Sequence, residues 1–523
     1  MKPLLKRHTN RLWVVGILLI LAANIKLFST YKTVPWDAFD EMFYYFRWLG
    51  SALRQGYFPD FFPNIMSGYP IGSNIQVGVY NIFYLAFAFA FPDSVLSINM
   101  VYLTTQMVIF GLGYAIGKTY HFNTLVSIYF GLALTASGFV IGHASHLSYL
   151  ATACGLLGSF LGLRLALAER GTVAFTIVFV SVYHMFTAGY PANILFGAQC
   201  FAVYWVYLFI TIPSSRRALL IAAAGAISGV LVSAPAILHF LNLLQLSPRG
   251  DGLDIDTVLR GSLPGYSVLN FFYPAWEMRY SEPTMERFHL LFISGPLILY
   301  AVWNAVEGKD RTRILILLSI ALLLLLLALG KNSPIPLRMW LAENFFIYRT
   351  GRFPSGEHRG IALFFFALIS AFGLQQILAK WPKKMKYLLA IIMLDFLVVM
   401  SQLKPMRIGG MPDEYKGNVP LFQAHFDAST QPLLDTPRDC RPDGPNWTLT
   451  ELNTQRGLAP DGFYWNGYVG LRDQTYDLER DQSRDILCGP SRLWHTVDHK
   501  PFVYKLVTYT PGYIKFTISG DSE

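Results

Sequence analysis

Apolar runs of about 20 residues recur along most of this chain, and no other feature limits its fold so strongly. A bilayer's hydrocarbon is ~30 Å thick, and a helix rising ~1.5 Å per residue needs about 20 residues to cross it. Within lipid each backbone N–H and C=O must be satisfied inside the protein, so these runs are expected as helices. Candidate spans are 12–29, 95–117, 124–142, 147–168, 172–189, 193–212, 217–240, 288–305, 311–330, 360–379 and 386–402. Charge content points the same way: 14% of the 523 residues are charged, against ~25% in a soluble protein. The expected fold class is mainly α, a polytopic transmembrane helical bundle of about eleven spans over 1–402. A small β-rich domain is expected over 403–523.

The net charge of +9 would suit nucleic acid only if the basic residues pooled on one patch. They are dispersed instead, so no nucleic-acid partner is expected. Lys2, Lys6, Arg7 and Arg11 precede the first span, and no small-residue cleavage site follows 12–29, which is expected to stay attached. The apolar segment 78–91 decides the topology. If it does not cross and the N-terminus is cytoplasmic, then Lys118, Arg170, Arg216, Arg217, Lys309 to Arg313 and Lys380 to Lys386 all face the cytoplasm, as the positive-inside bias asks. The segment 78–91 is therefore expected to be interfacial or re-entrant. Polar material then gathers on the outer face of a plasma (inner) membrane: 30–94, His143–His146, Gly189–Asn193, 241–287, 331–359 and the tail.

The tail shifts to Asp, Arg, Pro and Gly. Its end, FVYKLVTYTPGYIKFTIS, alternates apolar and polar residues about a Pro-Gly turn, which predicts a β-hairpin. Phe463, Tyr464, Trp465 and Tyr468 suit either core packing or stacking on sugar rings. Cys154 and Cys200 fall in apolar segments. Cys440 and Cys488 share the tail, as a disulfide or as two thiols.

Residues that could carry chemistry lie on the expected outer face. Asp37 and Asp40 follow the first span and precede a Pro-free stretch with Phe39, Phe43, Phe46, Leu49 and Leu53 at helical spacing. That pattern predicts an amphipathic helix lying along the membrane surface. Gly56, Pro59, Pro63, Gly68 and Pro70 then break the chain into a turn-rich loop. The two carboxylates suit a general base, a helix cap or a surface charge. His143 and His146 share a helix face and could hold a phosphate or a metal, though zinc wants three or four ligands. His184 and Tyr190 emerge on the same side as candidate substrate contacts. Asp251, Asp254 and Asp256 suit a metal-phosphate clamp or, more simply, a solvated loop. Arg349, Arg352 and Arg359, beside Lys331, could grip a phosphate in bidentate fashion or anchor to lipid headgroups. No phosphate-binding glycine loop, zinc-protease motif or nucleophile elbow is present, which sets aside NTPase, protease and hydrolase chemistry. No cofactor is indicated, and a divalent metal is compatible but not called for.

Several separated stretches together resemble one family. An Asp soon after the first span, followed by ALRQGYFPDFFPNIMSGYPIGSNIQVGVYNIFYL, resembles the outer first loop of the bacterial YfhO-like membrane proteins. These belong to the GT-C superfamily of glycosyltransferases, which use polyprenyl-phosphate sugars. SGFVIGHASHLSYL, GYPANILFG, SAPAILHFLNLLQLSPRG and YRTGRFPSGEHRG follow in the matching order, so the resemblance covers roughly 12–402. It implies an acidic base in the first outer loop. Counting back from Leu53-Arg54-Gln55-Gly56 gives Asp37, with Asp40 in reserve, and an Arg-x-Pro motif matches at Arg352-Phe353-Pro354. Relatives tend to carry Trp-Asn-Pro where this chain has Phe61-Phe62-Pro63, and Gly-His-Pro-Gln where it has Gly189-Tyr190-Pro191-Ala192. Both departures bear on the sugar rather than on the reaction type.

The resemblance thus implies transfer of a sugar from a polyprenyl-phosphate donor to a glycan or lipid acceptor, with membrane lipids as surroundings. Arg352, Arg349, Arg359, His143 and His146 would hold the donor phosphate, and Tyr190 and His184 the substrate. A flippase for the same lipids is the competing class; it would want polar midplane sites, of which Asp395 is the clearest candidate. A non-catalytic partner in surface-polymer assembly, docking through its tail, is the third.

Overall fold

A computed structural model of the chain describes residues 12–29, 32–34, 37–38, 42–60, 70–91, 95–245, 252–271, 287–305, 311–401, 406–407, 494–495, 501–510 and 513–519. The chain divides into two compact units. The first comprises Met1–Phe28, Asn99–Ala234 and Gly252–Pro405; the second comprises Ser29–Ile98, Pro235–Asp251 and Met406–Glu523.

The described residues are mainly helical. Among the described residues, eight helices are long and apolar enough to cross a membrane: Leu96–Thr119, Thr124–Gly142, Leu147–Leu167, Gly171–Ala188, Pro191–Thr211, Pro213–Val232, Arg311–Asn332 and Pro354–Lys380. Eleven spans were expected. The other three segments form shorter helices, Trp13–Ala23 of 11 residues, Ser294–Ala305 of 12 and Met385–Met400 of 16. The span expected from 288 starts late for a physical reason, because its first residues bond elsewhere. The His289 carbonyl accepts the Gly138 N–H at 2.8 Å, and the Asp395 carboxylate accepts the Phe292 and Ile293 N–H groups at 3.0 and 2.9 Å. Asp395 thereby holds the two residues that lead into Ser294–Ala305, accepting both of their N–H groups. The expected span 217–240 breaks at Ser233 into Arg216–Val232 and Ala234–Gln245, next to Pro235, which has no N–H to continue the ladder.

In the first unit, small residues let helices approach closely. Gly155, Gly158 and Gly162 of Leu147–Leu167 face Met185, Ser181 and Val178 of Gly171–Ala188, and a Cβ at any of them would collide. Such stripes are how apolar helices associate when the surroundings are as apolar as their side chains. Polar ties add specificity. The Tyr129 hydroxyl lies 2.7 Å from Ser294 Oγ and donates to Ser370 Oγ at 2.8 Å, joining three helices. Asn24 donates to Gln106 at 2.8 Å, and Gln106 to the Tyr102 hydroxyl at 2.7 Å.

In the second unit, Phe43–Arg54 packs on Ile82–Ala90, with the Phe46 and Tyr84 rings 5.4 Å apart and Arg54 donating to the Phe89 carbonyl. The middle of this helix is covered on every side, since Tyr45, Phe46, Arg47, Trp48 and Leu49 are consecutive and all buried. Ile82–Ala90 has nine residues, a rise of about 13 Å, too short to cross. Asn81 caps it, accepting from Phe83 and Tyr84. In the tail, Pro501–Thr510 and Tyr513–Ser519 pair antiparallel, with one irregularity between Leu506 and Thr508, and Trp494–His495 joins the first strand. Lys32–Thr33 pairs with Met406–Arg407. The rest of the expected β-rich domain, with Cys440, Cys488, Phe463, Tyr464, Trp465 and Tyr468, lies outside the described residues.

Candidate functional site

The first unit gathers most of the singled-out residues where three helices begin or end. Ser137 caps Gly138–Gly142 by accepting from Val140 N–H at 3.4 Å, and the chain turns at His143. Leu147–Leu167 begins just after His146 and carries Tyr149 in its first turn. Pro191 opens the next contributor, Pro191–Thr211, with Tyr190 as its N-cap residue. The Tyr190 N–H donates to the Ser148 carbonyl and to Thr152 Oγ1, which fixes its ring against the neighbouring helix. Pro354 opens the longest helix, whose first two turns hold Glu357, His358 and Arg359. Proline suits both starts because its fixed φ is already helical and its missing N–H is not needed there.

These elements build a stack of rings. Tyr190 lies on Tyr149 with centroids 4.2 Å apart and planes 19° apart. Tyr149 lies on His143 at 4.1 Å and 5°. Phe139 meets the same imidazole edge-on at 4.9 Å. Arg359, 0% exposed, brings Nη2 to 2.9 Å from His143 Nε2. Arginine can only donate, so Nε2 accepts and the imidazole proton resides on Nδ1. Burial first, then the neighbouring Arg359 and His146, hold the His143 ring well below the usual histidine range. His146 meets both His143 and Tyr149 edge-on, at 5.5 and 5.8 Å, and shares a hydrogen bond with Ser145 Oγ at 2.9 Å.

Beside the stack lies a buried ion pair. Arg338, from Leu337–Asn344, donates to Glu357 Oε2 at 3.0 Å and to the Tyr348 carbonyl at 2.7 Å. The His358 ring packs 3.9 Å from the Phe196 ring, and Asn193 donates to the Gly356 carbonyl at 3.1 Å. The loop before Pro354 is sewn to 252–262. Leu253 N–H donates to the Arg349 carbonyl at 2.8 Å, and Arg349 Nε returns a bond to the Leu253 carbonyl at 3.0 Å. Gly261 N–H donates to the Arg352 carbonyl, and Ser355 N–H to the Gly261 carbonyl. Gly252 has φ +81 with Arg349 against its open side, a backbone shape that favours glycine.

Of the expected site residues, His143, His146, Tyr190 and Arg359 come together around Tyr149. Arg349 and Arg352 are half-buried in the adjoining loop, with the Arg352 guanidinium 4.9 Å over the Phe353 ring. His184 lies in the last turn of Gly171–Ala188. Asp37 is half-buried and belongs to the second unit, and Asp40 lies outside the described residues. Asp254 acts as a cap, accepting from Thr257 N–H at 2.8 Å, and the Thr257 hydrogen bonds pull its carboxyl down. Sequence reasoning missed Tyr149, Arg338, Glu357 and His358. Glu357 and His358 stood inside the quoted GEHRG, where the only available signal was a pair of polar residues opening an otherwise apolar helix. The chain matches no protein-family model, no curated protein and no solved structure.

Proposed function

We propose that the chain is an integral membrane glycosyltransferase of GT-C type, taking a sugar from a polyprenyl-phosphate donor to an extracytoplasmic glycan or lipid acceptor. The observation that carries this reading is the concentration of guanidinium groups where Pro354–Lys380 begins. Arg349 and Arg352 are half-buried in the loop that enters the helix, and Arg338 and Arg359 are buried behind them. The positive end of the helix dipole adds to the half-buried Arg349 and Arg352, and together they suit an anionic phosphate. Arg349 and Arg352 take the phosphate-contacting role in this reading. Arg359 and His143 act as positioning residues, because the first is fully buried and donates to the second.

The reaction then balances without nucleotide or cofactor. The acceptor hydroxyl oxygen attacks the anomeric carbon as its proton passes to a base, the role that the resemblance of the first outer loop assigns to Asp37. The bond from that carbon to the phosphate oxygen breaks, and its electron pair leaves with the phosphate. Attack opposite the leaving group inverts the anomeric centre. A positioned base is typically worth about 10²–10⁴-fold, and fixed donors on the departing phosphate stabilise the charge that develops there. This reading places the N-terminus in the cytoplasm and residues 403–523 outside, in the plasma (inner) membrane, on the dispersal of Lys and Arg among the loops.

The flippase alternative loses its best intramembrane candidate, since Asp395 is engaged by two backbone N–H groups. Full-length protein in vesicles containing polyprenyl-phosphate sugars and a cell-surface glycan extract tests the assignment. Release of polyprenyl phosphate with labelling of the acceptor supports it. Movement of the lipid between leaflets without bond cleavage contradicts it.

A further inference from the structure

Six buried side chains where Pro354–Lys380 begins each present one polar atom that has no partner among the described residues. The atoms are Asn193 Oδ1, Arg338 Nε, Ser355 Oγ, Glu357 Oε1, His358 Nε2 and His143 Nδ1. None of the six residues is more than 4% exposed. They form one neighbourhood. Asn193 bonds the Gly356 carbonyl at 3.1 Å, Arg338 bonds Glu357 at 3.0 Å, and His358 Nδ1 stands 3.9 Å from Glu357 Oε2. A Cβ on Gly356 would meet the Tyr149 ring, the same ring that stacks on His143. Buried polar groups in folded proteins are nearly all paired, so six open valences in one place call for a guest.

The valences describe that guest. Glu357 Oε1 and Asn193 Oδ1 can only accept. His358 Nδ1 lies 3.1 Å from the Pro354 carbonyl, so Nδ1 carries the proton and the neutral ring offers Nε2 as a third acceptor. Arg338 Nε and His143 Nδ1 donate, and Ser355 Oγ does either. A phosphate brings no hydrogen to three acceptors and would face the Glu357 carboxylate. An ammonium would be repelled by Arg338 and Arg359. Hydroxyl groups both donate and accept without net charge, and they fit the whole set.

We propose that this neighbourhood is a subsite for the hydroxyl groups of a sugar, separate from the half-buried Arg349 and Arg352 that suit phosphate. The proposal rests on the glycosyl-transfer reading and adds where the sugar is recognised.

Binding of three kinds of probe to the full chain in lipid nanodiscs tests it. The probes are polyprenyl phosphate alone, polyprenyl phosphate carrying glucose, mannose, galactose or arabinose in turn, and free oligosaccharides of the same sugars. At least one sugar-bearing lipid should bind about tenfold tighter than bare polyprenyl phosphate, or a free oligosaccharide should bind directly. The first result assigns the subsite to the donor and the second to the acceptor. Ser355→Ala removes only an oxygen without a protein partner, so it should leave the unfolding temperature unchanged while lowering the sugar-dependent affinity severalfold. Glu357→Gln should lower it further, with affinity for bare polyprenyl phosphate kept within about twofold. Sugar-dependent binding that is unchanged in both variants would mean the open valences hold water only, and would overturn the proposal. No sugar-dependent binding to the wild type would also overturn it, leaving the transfer reading standing as long as bare polyprenyl phosphate binds. If bare polyprenyl phosphate fails to bind, the transfer reading fails instead, and direct oligosaccharide binding lost in Ser355→Ala still decides the subsite.

Discussion

Glu357→Leu is expected to be the most destabilising single change near the candidate site. Glu357 and Arg338 stand 3.0 Å apart with side chains 2% and 1% exposed. Deleting the carboxylate strands a buried guanidinium whose other bond is to the Tyr348 carbonyl. Breaking a buried pair from one side costs ~3–5 kcal/mol. Arg338→Met strands the carboxylate in turn. Glu357 lies in the first turn of its helix, where the dipole favours negative charge, so this cost should fall toward the lower end of that range. Replacing both residues removes the desolvation penalty together with the attraction, which is often close to neutral. The double variant should therefore be far more stable than the two single costs predict, with a coupling of about 3 kcal/mol or more, well beyond the ~0.5 kcal/mol within which independent sites add. Equilibrium unfolding of the four proteins in bicelles, read by the denaturant midpoint, measures the cycle. Single costs that simply add in the double variant would refute the buried pair.

Three further outcomes follow from the same geometry. Folded His143 stays neutral well below the usual histidine range, whereas the unfolded chain takes up that proton below about pH 6.5. The unfolded state then binds more protons, so stability should fall as pH drops below ~6.5, by up to about 1.4 kcal/mol per pH unit. His143→Gln should flatten that slope, and an unchanged pH profile of the unfolding midpoint would contradict the assignment. Asp395→Ala should destabilise by about 1–3 kcal/mol by stranding the Phe292 and Ile293 N–H groups, and Asp395→Asn by less because one acceptor remains; equal loss of function at unchanged melting temperature would point to transport instead. Arg352→Lys keeps the charge but loses the planar fork, so donor affinity should fall about tenfold, and wild-type affinity in binding titrations would reduce Arg352 to a lipid anchor.

The long apolar helices were legible because hydropathy over about 20 residues reports a single physical quantity, transfer into hydrocarbon. The shorter helices were not. Whether 288–305 is helical from its first residue depends on Asp395 and Gly138, both distant in sequence. The spans expected from 193 and 360 begin earlier, at Pro191 and Pro354, and the break at Ser233 was missed because Pro235 sits in an unbroken apolar run. Helical spacing correctly made Phe43–Arg54 a helix but could not say that its polar face would also be covered. In the site, His143 and Arg359 were visible as types that bind anions, but not as partners of each other. Tyr149 carried no signal of its own in the sequence, and its ring bridges His143 and Tyr190. Arg338 and Glu357 stand 19 residues apart, across a loop, a separation to which no periodicity applies.

Asp37 carries the central claim, and Asp37→Asn tests it most directly. Asparagine keeps the size of the side chain and one acceptor oxygen but cannot take a proton from an acceptor hydroxyl. In single-turnover transfer from a bound polyprenyl-phosphate sugar, the rate should drop by about two to four orders of magnitude with donor affinity unchanged. A wild-type rate in Asp37→Asn would contradict the account. If Asp40→Asn alone abolished transfer, the base would be Asp40 and the count back from Gly56 would be wrong.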